Sequence, residues 1–197
     1  MLLSAIILAG GKGKRIGGNK PFKKLLNKNL IDYPIEVLED LNIPYVLVFS
    51  KDLKIEEKYK KFIAFDLKDD YGPLIGILSG MRVLNAKWYL VLPCDCPFIS
   101  KGYINHLIKY IKIAEEKGCK CIVPRYKDGY VEPLFSLYKR DSLIELNNLI
   151  NNNKRKIIYL IEKLNPLYID AERFKNVFAN INTPEELKNA SLSLTKE

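Results

Sequence analysis

The stretch Ser4-Ala5-Ile6-Ile7-Leu8-Ala9-Gly10-Gly11-Lys12-Gly13-Lys14-Arg15-Ile16-Gly17-Gly18-Asn19-Lys20 opens as an uncharged apolar run and turns abruptly into glycine and cation. Residues 4–8 read as a buried strand. The eleven positions from Gly10 to Lys20 include five glycines and four basic residues. Glycine lets backbone N–H groups approach an anion and the cations neutralise it, so the loop suits phosphate. Two common phosphate loops do not fit. A Walker loop needs Ser or Thr after Gly-Lys, but Gly13-Lys14 is followed by Arg15. A dinucleotide fingerprint needs glycine where Ile16 stands. The same residues could form a plain solvated basic loop, but their place directly after a strand speaks against that.

Outward from this loop, short apolar runs at 45–49, 62–65, 88–92 and 121–123 alternate with helical patterns at 31–41, 74–84 and 103–117. In the last of these, Ser100 is placed to cap, and Ile104, Leu107, Ile108 and Ile111 fall at i, i+3, i+4 and i+7. Such alternation predicts a three-layer α/β/α, Rossmann-like fold around a central, mostly parallel sheet. After Val131 the pattern loosens into a strand at 134–138 and helical segments at 141–152 and 155–163. A last helix follows Pro184, where Thr183, Pro184 and Glu186 spell a capping box. Neither a repeat nor a linker-like stretch interrupts the chain, so a single domain over 1–197 is expected. In open sheets of this kind ligands sit beyond the carboxyl ends of the strands.

The 197 residues are 48% hydrophobic and 28% charged, which excludes wholesale disorder, collagen and coiled coil. The net charge of +9 permits anionic partners. The basic residues are spread along the chain without aromatic interleaving, so no nucleic-acid partner is expected. No run approaches the roughly 20 apolar residues of a membrane span. In residues 1–15 the charges follow the apolar run, the reverse of an export signal. A cytoplasmic location with reduced cysteines is therefore expected. The pairs Cys94/Cys96 and Cys119/Cys121 have one intervening residue, whereas zinc sites more often have two to four. In strands that spacing puts both thiols on one face, and the four read as buried residues. His106, the single histidine, falls on the helix after Asp95 and reads as a surface or packing residue.

Leu8-Ala9-Gly10-Gly11-x-Gly13-x-Arg15, followed by Lys20-Pro21, resembles the signature of nucleotidyltransferases with a GT-A-like Rossmann fold. The Arg15-Ile16-Gly17-Gly18 form is similar to the molybdenum cofactor guanylyltransferase (MobA) branch. Four later segments resemble that branch in order. They are Gly72-Pro73-Leu74-Ile75-Gly76-Ile77, Leu92-Pro93-Cys94-Asp95-Cys96-Pro97-Phe98, Glu132-Pro133-Leu134-Phe135-Ser136-Leu137-Tyr138 and Asn180-Ile181-Asn182-Thr183-Pro184-Glu185-Glu186-Leu187. The resemblance runs from residue 4 to residue 187.

It implies transfer of GMP from Mg·GTP to the terminal phosphate of molybdopterin or molybdenum cofactor, with release of pyrophosphate. The N-terminal half would bind nucleotide and the C-terminal half the acceptor. Leu8, Ala9, Gly10, Gly11, Gly13, Lys20, Asp66 and Asp95 would contact the nucleotide. Asp95 would hold Mg²⁺, a hard cation that takes one or two carboxylates plus phosphate and water. Arg15 and Lys20 would offset the charge that builds on the phosphates. Asp66 has two readings: a contact to guanine N1–H and the 2-amino group, or merely the start of the acidic run 66–70. The family's second base contact, an Asn, is absent, since Val48-Phe49-Ser50 stands there. Asn180 and Asn182 either face the acceptor or organise the turn before the last helix. Molybdoenzyme maturation proteins are a further partner class that the resemblance raises. CTP in place of GTP, another phosphorylated acceptor, or a non-catalytic carrier remain open on the sequence.

Overall fold

The structure, a computed structural model, describes residues 1–11, 13–66 and 72–195. Lys12 and residues 67–70 of the acidic run lie outside the described residues. Strand β1 (Leu3–Leu8) carries the opening apolar run, with Ser4, Ala5, Ile6 and Ile7 buried. After the glycine-rich loop, β2 (Lys24–Leu25) and β3 (Lys28–Asn29) form a short antiparallel hairpin. Helix α1 (Asp32–Asp40), β4 (Tyr45–Phe49), β5 (Ile63–Phe65), α2 (Pro73–Val83) and β6 (Trp88–Pro93) follow. The chain continues through α3 (Lys101–Lys109), α4 (Ile111–Glu116), β7 (Cys121–Arg125), β8 (Leu137–Lys139) and α5 (Ser142–Asn151). It closes with α6 (Ile158–Lys163), β9 (Pro166–Asp170) and α7 (Pro184–Leu194).

The main sheet has the order β5-β4-β1-β6-β8-β7-β9. β1 is central and parallel to both β4 and β6. β5 runs parallel to β4, and β9 to β7. Among the described strands of this sheet only β8 is antiparallel, wedged between β6 and β7. Alternation along the central strands feeds two cores, one on each face. Ala5, Ile7, Trp88 and Leu90 join Ile35 and Leu38 of α1 with Ile104 and Leu107 of α3. Ile6, Tyr89 and Val91 join Leu74, Leu78 and Met81 of α2 with Leu146 of α5. The expected three layers result.

Helix α2 is buried from Leu74 through Met81, because it lies between the sheet and α5. Its close seat on β1 depends on two glycines one turn apart. A Cβ on Gly80 would stand 2.7 Å from Ile6 Cγ2, and one on Gly76 2.7 Å from Leu8 Cδ2.

Three elements differ from the sequence expectation in extent, and β9 and the β2–β3 hairpin were not expected at all. The helix expected at 103–117 divides at Tyr110, whose N–H donates to Leu107 O at 3.0 Å in a tightened turn. Ile111 and Ala114 nonetheless stay in the core. The strand expected at 134–138 is confined to β8, because Pro133–Phe135 forms a 3₁₀ turn. The Ser136 hydroxyl locks that turn by donating to Glu132 O at 2.7 Å. The helix expected at 155–163 begins only at Ile158, since the exposed residues before it include Asn153 in the left-handed region. β9 and the β2–β3 hairpin carry no apolar run long enough to announce them; in β9 only Ile169 is buried.

Gly80→Ala should test the α2 seat. The gain of about 1 kcal/mol from helix propensity meets an overpacking cost of roughly 1–3 kcal/mol against the fully buried Ile6. Gly102→Ala, in α3 with only Ser100 Oγ nearby at 3.9 Å, should not destabilise. Thermal melts should show Tm falling for the first substitution only; equal shifts would refute the packing argument.

Candidate functional site

A cleft of about 760 Å³ opens at the carboxyl ends of β1, β4, β5 and β6. A shallower hollow of about 420 Å³ lies at the opposite strand ends, around Met1, Lys87 and Arg140. The first is where a sheet of this order binds ligands.

The floor of the cleft is set by backbone bonds. Leu8 O accepts from Cys94 N–H at 3.1 Å, and Ala9 N–H donates to Val48 O at 2.8 Å. The glycine-rich loop therefore leaves between β4 and β6. Gly13 takes φ +52° and its carbonyl accepts from the N–H groups of Ile16 and Gly18. A Cβ there would stand 2.8 Å from Lys20 Cβ, so glycine lets the loop fold back on the lysine. Lys20 then begins a 3₁₀ turn with Pro21 and Phe22. Phe22 stacks near Phe49 and Tyr59, with centroids at 5.9 and 5.5 Å, and anchors the turn from behind.

Asp95 follows β6 in a turn and is 5% exposed. Its carboxylate is ion-paired with Lys20 Nζ, and the two side chains are 8% and 15% exposed. Lys20 Nζ also donates to Asn182 Oδ1 at 2.8 Å. Asp95 O accepts from Ile181 N–H at 3.0 Å, which pins the segment carrying Asn180 and Asn182. The capping box is present: Thr183 Oγ1 accepts from Glu186 N–H, and the Glu186 carboxylate accepts from Thr183 N–H. That carboxylate also accepts from Asn182 N–H at 2.5 Å. Asn180 Oδ1 is buried without a hydrogen-bond partner, and both asparagines line the cleft.

Asp66 continues β5 by donating its N–H to Phe49 O at 2.9 Å. Its carboxylate lies between two glycines. A Cβ on Gly10 would stand 2.5 Å from Asp66 Oδ2, and one on Gly76 3.3 Å from Oδ1.

Of the residues singled out in the sequence, Leu8, Gly10, Gly11, Lys20, Asp66, Asp95, Asn180 and Asn182 line the cleft. Ala9 is buried beneath the loop and Gly13 shapes it from outside the lining. Arg15 is not brought to the cleft; it stands exposed on the 3₁₀ turn Lys14–Ile16. Sequence reasoning missed Asp52 and Leu53, which form the wall after β4 together with Ser50, a residue noted in the sequence only for standing where the family has a base-contacting asparagine. Their position after a strand was the only signal, since nothing in their types marks them. Cys94 was quoted in a motif, yet its place in the lining was not foreseen.

All four cysteines are free and buried. Burial raises the Cys96 thiol well above its ordinary pKa and Cys121 to about 12. Cys119 and Cys121 belong to different cores, against the one-face expectation, because Cys119 precedes β7. His106 packs at 4.9 Å from the Phe174 ring, outside the cleft lining. Desolvation, then Arg173 and Lys109, lower its pKa.

Glu132, two residues before the cleft-lining Leu134, is half-buried. Desolvation pushes its pKa up to about 7, opposed by a hydrogen bond from Tyr126. A folded value above the ordinary 4.5 means that this group's contribution to stability is full below about pH 4.5 and lost as pH rises toward 7. Glu132→Gln should therefore raise Tm at pH 8 by roughly 2–4 °C and leave it almost unchanged at pH 4.5. The same Tm change at both pH values would exclude the titration.

Comparison with known proteins bears on this cleft. The family model for the MobA-like NTP transferase domain matches residues 5–166. A probable molybdenum cofactor guanylyltransferase of Methanocaldococcus jannaschii is 54% identical, over 94% of this chain and 97% of that protein. A molybdenum cofactor guanylyltransferase of Vibrio parahaemolyticus is 32% identical over 93% and 92%. The crystal structure of molybdopterin-guanine dinucleotide biosynthesis protein A from Archaeoglobus fulgidus superposes with a TM-score of 0.81 at 30% identity, covering 100% of both chains.

Proposed function

The chain belongs to the MobA-like NTP transferase family, and on that premise we propose that it transfers GMP from GTP to the terminal phosphate of molybdopterin or its molybdenum-bound form, releasing pyrophosphate. The observation that carries this reading is the convergence of the glycine-rich loop, Lys20, Asp95 and Asn182 at the end of β1 and β6. We read the chain as one nucleotidyltransferase domain, with nucleotide held mainly by its N-terminal half and the acceptor by its C-terminal half.

Asp95 suits Mg²⁺ as a hard oxygen donor on the cleft wall. Among the described residues no group of three His, Cys, Asp or Glu side chains gathers, so phosphate oxygens and water would complete the shell. Bound there, the ion would act as a Lewis acid on the phosphates. A terminal phosphate oxygen of the acceptor attacks the α-phosphorus of GTP; the new P–O bond forms as the bond to pyrophosphate breaks. The acceptor phosphate is already anionic, so no general base is required. Lys20 and the N–H groups of the loop stabilise the charge on the departing pyrophosphate. Arg15, exposed outside the cleft lining in this structure, would have to swing inward to serve the same anion. Asp66, fixed between Gly10 and Gly76, would accept from guanine N1–H and the 2-amino group, a donor pair that adenine lacks. Asn180 and Asn182 would face the pterin acceptor.

Pyrophosphate release from GTP, CTP and ATP with Mg²⁺, with and without molybdopterin, tests the reading. Release should require both GTP and acceptor, and Asp95→Ala should lower kcat by about 100-fold or more. Asp66→Asn should lower kcat/KM for GTP by roughly 10- to 100-fold. Preference for CTP would move the activity to cytidylyl transfer, and GTP binding without release under any condition would leave a carrier.

A further inference from the structure

The ammonium of Lys20 lies against the carboxylate to which the proposed function gives the divalent cation, and it also holds Asn182 on the acceptor side. Both charges are largely withdrawn from water, so each depends on the other for compensation. Among the described residues no further acidic, histidine or cysteine side chains gather with Asp95 into a three-ligand group that could bind the cation in competition with the ammonium. From this contact we infer that Lys20 occludes the metal position until a triphosphate draws it away. Metal and nucleotide therefore enter interdependently. The polyphosphate supplies a new counterion for the ammonium and oxygen ligands for the metal, and Asp95 exchanges one cation for the other. The same exchange frees the Asn182 amide oxygen, so the acceptor side is completed only after nucleotide is in place. This inference rests on the reading of Asp95 as the metal ligand.

Mn²⁺ alone, titrated into the full chain without nucleotide and followed by the electron paramagnetic resonance of the free ion, tests it. The wild type should take up Mn²⁺ weakly. Lys20→Gln should bind it at least about tenfold more tightly, and adding Asp95→Asn should abolish the gain. Equal affinity of wild type and Lys20→Gln would overturn the inference, as would a gain that survives Asp95→Asn. Circular dichroism checks folding, and Lys20→Met, which keeps the apolar stem, replaces Lys20→Gln if that variant does not fold. A parallel arm measures GTP binding to the wild type with Mg²⁺. Failure there refutes the guanylyl reading, whereas the Mn²⁺ comparison decides the role of Lys20 separately.

Discussion

Helix α2 can lie against β1 only because Gly76 and Gly80 present no side chain to Leu8 and Ile6. The site depends on that close approach. It brings Gly72 and Pro73, at the start of α2, into the wall of the cleft. It also closes the second side of the slot that holds Asp66, whose other side is Gly10. A helix seated farther out would leave Asp66 without that wall. The outer face of α2 is covered in turn by α5, with Arg82 donating to Asn147 at 3.1 Å. That sandwiching accounts for a helix apolar nearly all round, where a surface helix would show a single apolar stripe.

The charges of the molecule divide into two populations. Pairs such as Lys28–Glu36, with both side chains 47% exposed, are of the kind that contributes about 0–1 kcal/mol. Lys20–Asp95 is different in kind. Taking two ions out of water carries a desolvation cost that apolar residues of similar size would avoid. A buried pair at the mouth of a glycine-rich loop is thus poorly explained as a stabilising device and well explained as a set of charges waiting for an anion and a cation. The net charge of +9 adds a general attraction for such anions but selects none of them.

Legibility in the sequence followed the strength of the local signal. β1, β4 and β6 are almost wholly apolar runs because both of their faces are covered, and periodicity and composition found them. β9, at the edge of the sheet, buries only Ile169 and left no such run. The site divided in the same way. Lys20, Asp95 and the paired asparagines sit in motifs with distinctive residue types. Ser50 and Asp52 belong to the cleft only because β4 ends beside β1 and β5, a fact of topology that their identities do not encode. Arg15 is the converse case: its motif marks it as functional, but it stands exposed on a turn outside the cleft lining.

The proposed division into a nucleotide half and an acceptor half is not a division of the structure. Lys20 bonds to Asn182, and Asp95 O receives the N–H of Ile181. Below these bonds a small third core joins Ile16, Leu25 and Leu30 to Ile181 and Ala190. The glycine-rich loop is therefore propped by the last helix, and the capping box that starts this helix also holds Asn182 N–H. A change near the C-terminal helix can reach the glycine-rich loop through packing alone. The glycine-rich loop cannot rearrange around Lys20 without being felt at Asn182, so the two ends of the chain act on the cleft as one unit.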